Sequence, residues 1–180
     1  MSDENTRVPN PSLSGIITNP SQQFDRIYES PLIWRAIVSV MVLCAGGLLL
    51  KFGINETSII IIIIGVIIGI ILRVTVLSGL FMLSSTIASK STVTFKQLCS
   101  MNAYISIILG INEIVNGITI SMMGGNPEVL FTNTIINWIF AVWITILTAF
   151  GLERVAEFSK KLAWFVAVVF IMVATLFNEM

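Results

Sequence analysis

Two residues of opposite charge, Arg73 and Glu113, stand inside long apolar stretches of this 180-residue chain, and three asparagines, Asn112, Asn116 and Asn137, accompany them. A charge in the hydrocarbon of a bilayer costs on the order of 2.5–3.5 kcal/mol on insertion scales, so each needs a partner or a polar surrounding. The chemistry open to such a set is ion pairing, hydrogen bonding between helices, or passage of a proton or ion. The chain has no histidine. That removes His-based acid–base catalysis, His metal ligation and the dyads that rely on a His base. Cys44 and Cys99 lie in or beside apolar runs and read as free thiols packing as small hydrophobes. No catalytic residues, no cofactor and no metal are expected, so the chain reads as a non-enzyme.

The elements that must hold these residues are membrane helices. The chain is 56% hydrophobic and 11% charged, against about 25% charged residues in soluble domains. It is therefore an all-α, polytopic membrane bundle. The stretch Ile59–Leu83 stands out, with six consecutive isoleucines, Gly65, Gly69 and then Arg73. It is long enough to cross a hydrocarbon core of about 30 Å, and the other spans are expected to be arranged around it. Five spans are predicted, at about 33–50, 58–83, 102–123, 129–150 and 162–177, within a membrane domain covering 18–180. Residues 1–17 are polar, with Pro9 and Pro11, and read as a disordered tail. At about 20–30 a short amphipathic helix is expected, with Asn19 as N-cap, Pro20 at its first position and Gln22 completing a capping box. Its Phe24, Ile27 and Tyr28 share one face, suited to the membrane surface or to the bundle. A second capping box, Thr94 with Gln97, leads into the third span.

Five spans put the termini on opposite sides. Arg7, Arg26, Arg35, Lys90, Lys96, Arg154, Lys160 and Lys161 fall on the side of the N-terminus, and Lys51 alone on the other. The positive-inside rule then makes the N-terminus cytoplasmic and the C-terminus external.

Depth connects the two charges. Arg73 and Glu113 each lie eleven residues from the inner ends of their spans, at Ser84 and Asn102, or about 16 Å deep by helical rise. An antiparallel hairpin thus brings them level as a pair. The same register sets Gly69 against Gly117 and Gly65 against Ser121, a seam of small residues that lets two backbones approach closely. Asn116 and Asn137 share a second level nearer the outer surface, and Asn112 extends that polar face inward. Structural glue and a proton or ion path both remain open for this set.

The lead-in Ile17, Thr18, Asn19, Pro20, Ser21 to Phe24, and the segment Thr92, Val93, Thr94, Phe95, Lys96, Gln97, Leu98 followed by Ala103 and Tyr104, together resemble the bacterial branch of the Yip family, the Ypt/Rab-interacting membrane proteins. Ser89, Lys90 and Ser91 replace the Gly-Gly pair of many bacterial relatives, and Ile107 and Ile108 stand where many have a proline. The acidic motif that eukaryotic members use around Rab GTPases is absent, so Rab binding is not carried over. The resemblance implies a non-enzymatic accessory or scaffold of the bacterial inner membrane. Its partners would be membrane lipids and another membrane protein or a second copy, not nucleic acid, and it would assist a transport or export system. The competing reading is a small transporter or channel that uses the polar residues around Arg73 and Glu113.

Overall fold

The structure, a computed structural model, describes residues 10–53, 56–88, 92–123 and 127–178. Its elements are α1 (Gly15–Thr18), α2 (Pro20–Glu29), α3 (Ile33–Phe52), α4 (Glu56–Ala88), α5 (Phe95–Met123), α6 (Pro127–Arg154) and α7 (Lys160–Asn178). There is no strand among the described residues. Among the described residues, four helices are long and apolar enough to cross a membrane: Ile33–Phe52, Ile59–Ile87, Phe95–Met123 and Phe131–Arg154. α7, the expected fifth span, is helical but is not one of these four. Residues 1–9 of the expected tail, and residues 124–126 between α5 and α6, lie outside the described residues.

Local signals account for the helix ends. Asn19 caps α2, its side chain accepting from the Gln22 backbone N–H at 3.4 Å, with Pro20 at the first position. Thr94 and Gln97 form a reciprocal capping box: the Thr94 N–H donates to Gln97 Oε1 at 2.8 Å, and the Gln97 N–H donates to Thr94 Oγ1 at 3.3 Å. Gly53, at φ 79, ends α3, a left-handed conformation that suits glycine.

The centre of the bundle is α5 rather than the isoleucine-rich α4. Every residue from Leu98 to Ile108 is buried, as expected of a helix surrounded on all sides. α3, α4, α6 and α2 all pack against it. The closest approach is between α3 and α5. A Cβ on Gly117 would stand 2.5 Å from the Gly47 carbonyl oxygen, and one on Gly47 would collide with the Glu113 backbone. Ser121 Oγ donates to the Leu50 carbonyl at 2.7 Å along the same seam.

This corrects the expected pairing of Gly69 with Gly117 and of Gly65 with Ser121. Nothing lies within 4 Å of a Cβ built on Gly65 or Gly69. The expectation assumed that consecutive spans make the tightest contact. The glycine notch that α5 needs is supplied instead by Gly46 and Gly47 of α3, since a small residue on each side is what lets two backbones meet. α4 lies against the bundle along one narrow stripe, Val66, Ile70, Val74, Ser78, Phe81 and Ser85, spaced at three and four residues as one helix face requires.

The beginning of the described chain is packed. Ile16, Phe24 and Ile27 are fully buried, and Tyr104 Oη donates to the Pro11 carbonyl at 3.2 Å. The boundary expected after residue 17 therefore falls inside ordered structure, because Pro11 and Ile16 supply apolar surface that a polar average over 1–17 conceals. α2 packs on α5 and α6. Gly151 makes room there: a Cβ would meet Met101 Sδ at 2.7 Å and Phe24 Cε1 at 3.3 Å.

Candidate functional site

Two polar regions occupy opposite ends of the bundle. The first is a collar where α2 meets the start of α5 and the α6–α7 connection. Gln97 Nε2 donates to the Tyr28 carbonyl at 2.6 Å, so the residue that caps α5 also holds the end of α2. Tyr28 Oη donates to Glu157 Oε1 at 2.9 Å, and Arg154 approaches Asp25 at 3.6 Å. Glu157 has φ 57, a left-handed conformation that is uncommon outside glycine. The chain turns there after α6, with the Phe158 N–H returning to the Leu152 carbonyl at 3.0 Å. The hydrogen bond to Glu157, and then its negative charge, push the Tyr28 hydroxyl above the ordinary tyrosine range.

The second region is a cavity of about 390 Å³, lined by Lys51 of α3, Arg73 of α4, a polar face of α5 and a face of α6. From α5 come Asn112, Glu113 and Asn116, at spacings that share a face. From α6 come Thr134, Asn137, Trp138 and Ala141, again at helical spacing. The asparagines form a bonded cluster. Asn137 Oδ1 accepts from Asn112 Nδ2 at 3.0 Å and from Asn116 Nδ2 at 2.8 Å. Asn116 Nδ2 also approaches Asn112 Oδ1 at 3.3 Å. Asn112 and Asn116 are both buried, so these bonds replace water that the surroundings exclude.

Arg73 and Glu113 open onto this one cavity but do not form the expected ion pair. Among the described residues the single ion pair, with a nitrogen–oxygen distance of 3.6 Å, is Arg154 with Asp25. Arg73 Nε and Glu113 Oε2 are buried without hydrogen-bond partners, as is Asn116 Oδ1. The reason is register. Asn102 Nδ2 of α5 donates to Ser78 Oγ of α4 at 2.9 Å. With Ser78 opposite Asn102, an antiparallel pairing sets Arg73 opposite Ile107, six residues short of Glu113. Six residues are about 9 Å of helix. The equal depths read from the span ends failed because α4 continues as helix past Ser84 to Ala88, and α5 begins at Phe95 rather than Asn102.

Sequence reasoning missed Lys51, Trp138 and the Ser78–Asn102 bond. Lys51 is the lone basic residue expected on the outer side, which was the available signal. Thr134, Asn137, Trp138 and Ala141 share one face of α6, and that pattern could have placed Trp138 beside Asn137. Nothing in the sequence marks Ser78 among the many serines and threonines of these helices. Cys44 and Cys99 are buried free thiols. No group of three or more His, Cys, Asp or Glu side chains suited to a metal occurs among the described residues.

Comparison with known proteins bears on the whole chain. A Yip1 domain model matches residues 14–178. A Bacillus subtilis (strain 168) protein described as "Membrane protein YknW" is 27% identical over 210 residues, covering 96% of this chain and 90% of that protein. No solved structure matches.

Proposed function

We propose that this chain, which belongs to the Yip1 domain family, is a non-enzymatic accessory or scaffold protein that works by binding other membrane components. It is a helical membrane protein. In this reading it crosses a bacterial inner membrane five times, with α7 as the fifth crossing, the N-terminus cytoplasmic and the C-terminus outside. The uneven distribution of lysine and arginine supports that orientation.

The observation that carries the reading is the outward face of α4. Ile61, Ile64, Ile68 and Leu72 are exposed there, and Gly65 and Gly69 among them have open space where a side chain would be. Apolar residues alone suit lipid tails. Glycines one turn apart allow a second helix to approach closely, which suits another membrane protein or a second copy of this chain, and a role assisting a transport or export system. A photo-crosslinking residue at position 68, activated in the native membrane, is expected to give protein adducts. Adducts with lipid alone from positions 61, 64 and 68 would remove the scaffold reading.

The unpaired Arg73 and Glu113 favour a second reading, a small transporter or channel. Flux through proteoliposomes that is lost in a well-folded Glu113→Gln variant would establish it. Wild-type vesicles with no flux above protein-free vesicles would dismiss it.

A further inference from the structure

We propose that the cavity between α4, α5 and α6 binds a zwitterion carrying a primary ammonium and an anionic oxygen group, the chemistry of a phosphoethanolamine. The inference uses the cavity of the second reading above and does not depend on flux: binding without transport leaves it standing.

The cavity presents two cations, Arg73 and Lys51, and one carboxyl group, Glu113. Arg73 makes no ion pair among the described residues, and its Nε is buried without a hydrogen-bond partner. A guanidinium carries five donors in a planar fork that matches phosphate or carboxylate oxygens. Lys51 adds a second positive charge toward the same space. The complementary half lies on α5. Glu113 Oε2 and Asn116 Oδ1 are both buried and both lack donors, and residues three apart share a helix face. Asn116 is only 5% exposed, so its orphaned oxygen lies deep within the protein. Two free acceptors on one face suit an ammonium, which has three donors and no acceptor.

The remaining properties fit. The volume of about 390 Å³ lies within the 300–1,000 Å³ range of small-molecule sites. Trp138, Phe140, Ile144 and Ile171 form an apolar wall, which suits a ligand with an attached hydrocarbon part. Mutual neutralisation of Arg73 and Glu113 does not account for the arrangement, because no ion pair joins them. Water filling the space would hydrate both groups but bring no counter-charge to either. The ligand chemistry has two sources, a lipid headgroup or a soluble zwitterion.

The test uses the full chain purified in detergent and four probes followed by native mass spectrometry. These are a short-chain phosphatidylethanolamine, its N-acetyl derivative, the corresponding phosphatidylglycerol and soluble glycerophosphoethanolamine. Phosphatidylethanolamine is expected to bind on the order of ten- to a hundredfold more tightly than the N-acetyl form, the contribution of a hydrogen bond to a charged group. Glu113→Gln should abolish that preference and leave phosphatidylglycerol binding intact, and Arg73→Gln should weaken every probe. Equal binding of glycerophosphoethanolamine and the lipid identifies a soluble zwitterion; binding of the lipid alone identifies the headgroup. Wild-type protein that holds the N-acetyl form as tightly as its parent, or that binds no probe, overturns the proposal. That comparison needs no variant, so a poorly folding substitution does not weaken it.

Discussion

Asn102 of α5 donates a hydrogen bond of 2.9 Å to Ser78 of α4, and both residues are buried. Ser78 in turn donates to the Val74 carbonyl at 2.6 Å within its own helix. The bond therefore sets how far α4 slides along α5, and through that offset it keeps Arg73 away from Glu113.

Asn102→Ala is expected to lower stability by about 1–2 kcal/mol, in the range of a buried interhelical hydrogen bond. Denaturant titration in detergent would measure it. In a double-mutant cycle with Ser78→Ala the two losses should be less than additive by about 0.5 kcal/mol or more; full additivity would show that the bond contributes nothing.

Arg73→Leu and Glu113→Leu are expected to combine additively, within about 0.5 kcal/mol. A directly bonded pair behaves differently, since removing one partner strands the other and the double change relieves it. Melting temperatures of the two single variants and the double variant decide the matter. Strong relief in the double variant would mean that the two charges do meet.

The glycines divide into two classes. Gly117→Ala should destabilise by about 2 kcal/mol or more, because the new methyl would meet the Gly47 backbone. Gly69→Ala should be neutral or stabilising by up to about 1 kcal/mol, since alanine is the better helix former and the space is open. Equal losses at both positions would contradict the α3–α5 seam.

The chain has two tyrosines, and Tyr28 should titrate above a free tyrosine because its hydroxyl donates to Glu157. A group whose pKa is higher in the folded state adds stability that is complete below its ordinary pKa of about 10. That contribution fades as pH rises through the folded value. Absorbance near 295 nm follows the phenolate, and Glu157→Gln should bring the titration back toward the ordinary range. An identical curve for the variant would exclude the contact.

Span positions and helix caps were readable from the sequence because they depend on local residues. Length and apolar composition mark α3 to α6, and Asn19 and Thr94 act on backbone groups within one turn. The Asn116–Asn137 bond was readable for a related reason: only three residues of sequence separate α5 from α6, which leaves little freedom in their relative depth. The Arg73–Glu113 alignment was not, because it depended on where α4 and α5 end. Ser84, Ser85 and Thr86 interrupt the apolar run before Ile87 and Ala88, so the helix continues past the point where the apolar signal breaks. Non-sequential contact was the other obscured feature. Gly46 and Gly47 show in the sequence, yet nothing local says that they face α5 rather than α4.

α2 has a consequence for how the protein is made. Its attachments are Gln97, Arg154 and Glu157, the last of them 129 residues further along the chain. Chains are synthesised from the N-terminus, and each part folds as its contacts emerge. α2, which precedes α3 to α6 in the chain, must therefore wait for the α6 part of its seat while those helices are inserted. Until α6 is made, the part of its apolar face that Gly151 later meets, with Phe24, lacks that cover and is open to insertion factors or to the membrane surface.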